Sequence, residues 1–163
     1  MSSAALLDRD AVASTAAIVE TPEPLTPHRY RLTVAEYHRL GEIGIFDEDS
    51  RVELIEGDLI AMPPIGEQHA SKTRLLNRLF SLQVGDTAIV DVQNPVALDA
   101  HSEPQPDMVL LKPRPDFYES AHPCPEDVLL LIEVSDSTLR YDRDTKVPLY
   151  AKAGIPEVWL LDV

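Results

Sequence analysis

Asp107 and Glu133 are the residues of this chain with the clearest potential for chemistry. Asp107 stands in Gln105-Pro106-Asp107-Met108-Val109-Leu110-Leu111 and Glu133 in Leu129-Leu130-Leu131-Ile132-Glu133-Val134-Ser135. Each carboxylate adjoins an apolar run with the composition of a buried strand. Taking an ionised carboxylate out of water is costly unless a cation compensates it, so two of them on consecutive strands suggest a shared cation. Mg²⁺ and Mn²⁺ favour oxygen ligands of this kind, and the carbonyl of Val134 could add a third protein oxygen. Lys146, on the element that follows, offers an ammonium to orient an attacking water or hold a phosphate. Two acids and a lysine are the raw material of metal-dependent phosphodiester hydrolysis.

Each residue also has a plainer reading. Asp107 follows a proline at a strand start, where a solvated or turn-capping Asp is common. Glu133 is harder to explain away, because four apolar residues precede it. Lys146 could face inward or pair with Asp142 on the surface. Glu53 and Glu56 fall on opposite faces of a strand, so at most one can point at a site. His69 could contact substrate or cap a helix, and Ser135 with Asp136, Ser137 and Thr138 reads most simply as a polar loop. Among the histidines there is no His-Glu-x-x-His spacing, and neither a Gly-x-Ser-x-Gly elbow nor a phosphate-binding glycine loop is present. The single cysteine, Cys124, lies between two prolines and reads as an incidental thiol.

The elements that must position these residues follow from periodicity. Residues 1–28 end in a proline-rich stretch and read as a flexible arm; residues 29–163 read as one domain. Thr33 and Glu36 open a short amphipathic helix, and Arg51 to Met62 forms a β-hairpin around a Glu-Gly-Asp turn. A longer helix is expected from His69 to about Val84, with apolar spacing through Leu75, Leu76, Leu79, Phe80 and Leu82. Strands are expected at 88–93, 107–111 and 128–134, with a long loop from Lys112 to Asp127. A helix from Asp142 to Ala153 and a strand from Ile155 to Leu161 close the chain. Helix, three strands, helix, strand favours an α/β fold with helices packed around one central mixed sheet.

Composition narrows the function. At 163 residues the chain can bury an adequate core, and it has no apolar run long enough to span a bilayer. The N-terminal segment lacks the layout of a secretory signal, so a soluble cytoplasmic protein is expected, with no membrane partner. The net charge of −14 argues against nonspecific affinity for nucleic acid, although carboxylates that hold a metal would lose part of that charge on binding.

Four segments together resemble the Uma2 family, formerly a domain of unknown function and placed among the PD-(D/E)xK restriction-endonuclease-like nucleases. They are Arg51 to Ile60, Gln105-Pro106-Asp107, Ile132 to Thr138, and Tyr141 to Asp162. The resemblance runs from about Tyr30 to the end. It implies an endonuclease-like core, a DNA substrate and Mg²⁺ or Mn²⁺ as cofactor, with Asp107 and Glu133 as the acids of the two motifs. Where a lysine is expected two residues after Glu133 the chain has Ser135, so the resemblance makes Lys146 the migrated lysine. It also implies a further acid from the preceding region, Glu53 ahead of Glu56. Relatives usually continue through a further hairpin, which implies a shortened chain here. The main expectation is a metal-dependent endonuclease, and the alternative is a nuclease-fold interaction module without the chemistry. A terminal strand with a free edge also suggests a homodimer.

Overall fold

Why Asp107 and Glu133 come together is a matter of strand order. In the computed structural model, which describes residues 27–46 and 50–163, a four-stranded sheet forms the centre of the molecule. The expected arm lies outside the described residues except for its last two. The sheet contains β3 (Ile89–Asp91), β4 (Met108–Leu111), β5 (Val128–Ser135) and β6 (Val158–Asp162) in that spatial order. The first two junctions are antiparallel and the last is parallel, so the sheet is mixed as expected. The parallel junction needs a crossover, and a helical stretch supplies it.

Before the sheet come α1 (Val34–Glu42), the hairpin β1 (Val52–Ile55) and β2 (Asp58–Ala61), and α2 (Glu67–Val84). Thr33 and Glu36 form a reciprocal capping box on α1. The hairpin turns tightly on Glu56 and Gly57, both at positive φ, and Asp58 already belongs to β2. A Cβ on Gly57 would fall 2.5 Å from Cβ of Arg31, so the close approach as well as the φ of +83° requires glycine.

Alternation along the strands divides the core in two. Met108 and Leu110 of β4 and Leu130 and Ile132 of β5 pack beneath α2, against Leu76 and Phe80. Val109, Leu111 and Leu131 face the other way, against Leu149 and Tyr150 of the crossover. Leu75, Leu79 and Leu82, which also fit the helical spacing, remain largely exposed. Only one face of α2, through Leu76 and Phe80, therefore packs on this side of the sheet.

Some boundaries differ from the expectation. α2 starts at Glu67, two residues before His69, with Gly66 at its cap position. The crossover starts at Leu139 rather than Asp142 and runs as α3 (Leu139–Tyr141), a π-helical turn (Asp142–Lys146) and α4 (Val147–Ala153). Pro148 lies in the first turn of α4, where it cannot donate to the carbonyl four residues back and its ring would crowd that carbonyl; the wider turn relieves both. Gly154, at φ +87°, ends the helix as expected. The last strand starts at Val158, because the N–H of Ile155 is bonded to the Tyr150 carbonyl and its side chain is in the core. Ser135 is the last residue of β5 rather than part of a loop, since the parallel ladder pairs it with Asp162. Among the described residues no helix is long and apolar enough to cross a membrane.

Candidate active site

The antiparallel register sets Met108 opposite Ile132, so Asp107 and Glu133 are the next positions along the two strands. By alternation both lie on the face of Val109 and Leu131, beneath the crossover. One oxygen of Asp107 accepts the backbone N–H of Val134 at 2.8 Å. The other lies 2.9 Å from Nε2 of His69 and 3.3 Å from the Gln93 amide nitrogen. Because α2 begins at Glu67, His69 falls in its first turn, beside the start of β4.

Glu133 is 3% exposed, and its Oε1 accepts the Tyr150 hydroxyl at 2.5 Å and lies 2.8 Å from Nζ of Lys146. Lys146, 1% exposed, also lies 3.2 Å and 3.3 Å from the two oxygens of Glu53. It therefore faces inward and bridges the hairpin to the sheet. Asp142 shares the inward side of the π turn, but it accepts the hydroxyls of Ser135 at 2.7 Å and Thr138 at 2.5 Å instead of pairing with Lys146 on the surface. Lys146, Tyr150 and Asp142 act as one polar row aimed at Glu133 and its surroundings.

Asp107, Glu133, Val134, Lys146 and Glu53 thus line one pocket, together with His69, Asp142 and Arg51. Glu56 lies outside it, 3.2 Å from Lys152 on the surface. β1 turns Glu53 inward and leaves Glu56 in the exposed turn. Tyr150, Asp142 and the contact from His69 to Asp107 complete the site beyond what sequence reasoning assembled. The signal for the first two was the helical stripe that includes Lys146; the partner of His69 had no sequence signal.

The electrostatics are unbalanced. Asp107, Glu133, Glu53 and Asp142 are all buried, and Lys146 is the one buried lysine among them. Burial pushes Glu133 up to about 7, against the pull of the Lys146 ammonium, with Asp107 adding to the rise. Burial also raises Glu53, again opposed by Lys146. Lys146 loses charge stability through burial but gains more from Glu133 and Glu53, so its pKa is raised and it stays protonated. One buried oxygen of Glu53 has no hydrogen bond although the ammonium is 3.2 Å away. An excess of buried carboxylate oxygens, one of them unsatisfied, fits a hard divalent cation. Such a site could bind a phosphate diester and activate water against it.

The family model described as "Uma2: Putative restriction endonuclease" matches residues 34–163. Among solved structures, the chain is similar to a putative nuclease belonging to DUF820 from Anabaena variabilis ATCC 29413. The two are 18% identical over 80% of this chain and 74% of the other, with a TM-score of 0.59. At that identity the likeness shows the fold, an α/β arrangement with a mixed sheet flanked by helices. No curated protein matches the chain.

Proposed function

Because the chain belongs to the Uma2 family, whose description is putative restriction endonuclease, we propose that it is a metal-dependent endonuclease that hydrolyses DNA phosphodiester bonds. The observation that carries this reading is the meeting of Asp107, Glu133 and Lys146 in one pocket whose buried acids outnumber its buried lysine. Asp107 and Glu133 would hold Mg²⁺ or Mn²⁺, with Glu53 and the carbonyl of Val134 as further oxygens. When bound, such an ion supplies Lewis acidity toward the phosphate and an acidified water.

The chain's own residues do the rest. The Val134 N–H fixes one oxygen of Asp107 and leaves the other directed toward His69. Tyr150 fixes Glu133 from behind, so its rotamer is set before substrate arrives. Lys146 holds Glu133 and Glu53 together, and its ammonium would act on a phosphate bound in the pocket that it lines. Arg51, on the pocket wall, donates to the carbonyl of Pro63 and is the arginine that lines this pocket among the described residues.

Incubating the protein with plasmid DNA and Mg²⁺ or Mn²⁺ should give nicking. Asp107→Ala, Glu133→Ala and Lys146→Ala should each abolish it, with folding checked by circular dichroism. Cleavage that survives all three substitutions would overturn the assignment. The net charge of −14 favours a second reading, a nuclease-fold module that docks to a partner without cutting. Calorimetric titration with Mn²⁺ separates the two, since a module without a working site gives no saturable binding that depends on Asp107 and Glu133.

A homodimer through β6 extends the proposal. Among the described residues β6 pairs only with β5, and its Trp159 and Leu161 are partly exposed. Sedimentation velocity would test it, with a monomer at all concentrations as the contrary result.

A further inference from the structure

A second cluster of metal-binding side chains lies apart from Asp107 and Glu133. His38 of α1, Glu103 from the segment leading into β4, and His122 from the 112–127 loop each offer one ligand atom, all within 4.8 Å of one another. Glu103 is only 2% exposed, and among the described residues its one ion-pair partner is His38, with Nε2 at 2.7 Å. A carboxylate buried this deeply needs a cation, and no lysine or arginine among the described residues supplies one. The two imidazole rings meet edge to face, 6.1 Å between centroids, so both are gathered over the same carboxylate.

We propose that His38, Glu103 and His122 form a second metal site that takes Zn²⁺ and pins the 112–127 loop and α1 to the segment that carries Glu103. Two imidazoles and a carboxylate suit zinc, whereas Mg²⁺ prefers oxygen ligands. Zinc bonds of about 2.0 to 2.1 Å place tetrahedral ligand atoms about 3.3 Å apart. Both imidazoles are exposed and can rotate to close the present spread, while Glu103 is fixed from below. The Glu103 N–H donates to the Leu54 carbonyl at 2.8 Å, which ties the site to β1. Water would complete the coordination. Because β1 also carries Glu53, zinc here would stiffen the hairpin that reaches the other pocket, without entering that pocket.

The test uses Zn²⁺ alone on the full chain, titrated against a chromogenic chelator in excess Mg²⁺. The wild type and Glu133→Gln should each retain one zinc equivalent. His122→Ala and His38→Ala should each weaken zinc binding by more than about 10-fold, with circular dichroism unchanged. Zinc should also raise the unfolding midpoint of Glu133→Gln but not that of the variant combining Glu133→Gln with His122→Ala. Zinc held equally by His122→Ala and the wild type, or lost on Glu133→Gln, would overturn the proposal. Neither the zinc titration nor the unfolding midpoint depends on DNA cleavage, so the nuclease assignment can fail while this one stands.

Discussion

Asp142 and Lys146 face inward from the same helical stretch whose Arg143 and Asp144 face water, and the two pairs of residues hold charge in opposite ways. The outward pair is well formed, with Arg143 nitrogens 2.7 Å and 3.0 Å from the Asp144 oxygens. Yet those side chains are 60% and 53% exposed, so solvent screens the attraction. The inward Lys146 side chain is 2% exposed, and it lies between two carboxylates that are only 3% and 4% exposed. Good geometry outside does little, and strained electrostatics inside does much. A buried set with more acid than base is a poor device for stability, since apolar residues of the same size would do at least as well. The proposed divalent ion would offset that excess of acid.

Removing the ammonium should break this contrast most severely. Lys146→Met leaves Glu133 and Glu53 buried without their cation, and a loss of about 3 to 5 kcal/mol in urea unfolding is expected. Adding Glu133→Gln to that variant should return part of the loss, because one unpaired charge then becomes neutral. A Lys146→Met protein as stable as the wild type would mean that the inward row is no more demanding than the outward one.

How much of this was legible in the sequence depends on distance along the chain. Asp107 and Glu133 stand out because a charge in an apolar run is a local anomaly, and the strand and helix order follows from local periodicity. The direction of Lys146 does not, because it rests on a π turn that accommodates Pro148 and on the hairpin carrying Glu53, 93 residues away. The choice between Glu53 and Glu56 is of the same kind. Periodicity places them on opposite faces, but only packing says which face meets the sheet. Ser135 read as loop because its ladder partner, Asp162, lies on a strand formed much later. His38, Glu103 and His122 have no motif spacing at all, since three separate segments deliver them.

Glu133 gives the next effect, through pH. Its pKa is pushed from 4.5 to about 7 in the folded protein, chiefly by burial. Between those values the folded chain keeps a proton that the unfolded chain has released, so stability falls as pH rises. The favourable contribution is complete below about 4.5 and gone above about 7, a change of up to about 3 kcal/mol for a shift of this size. Urea unfolding from pH 4.5 to 8 should show a steeper decline in the wild type than in Glu133→Gln, and their difference isolates this group from the general acidity of the chain. Mg²⁺ at neutral pH should stabilise the wild type and leave Glu133→Gln unchanged. Parallel pH profiles would remove Glu133 from the demanding row.

Gly57→Ala tests whether the hairpin is a rigid arm for Glu53. A Cβ at φ +83°, 2.5 Å from Arg31, should cost about 1 to 3 kcal/mol and weaken Mn²⁺ binding, because the arm moves. Unchanged metal affinity in a destabilised variant would separate the hairpin from the site.

Arg143→Ala is the smallest change and the sharpest control. It removes an ion pair with better geometry than either contact of Lys146 to Glu53, on the same helical stretch. Because the pair is exposed, the unfolding midpoint should not move measurably, and the result should be the same at low and high salt. Plasmid cleavage under saturating Mg²⁺ should also be unchanged if the outward row is only solvated surface. A variant with unaltered unfolding but a weaker, less salt-dependent affinity for DNA would instead place Arg143 on a phosphate. The outward row would then be the DNA-facing surface of a chain whose overall charge repels nucleic acid, and function rather than burial would separate the two rows.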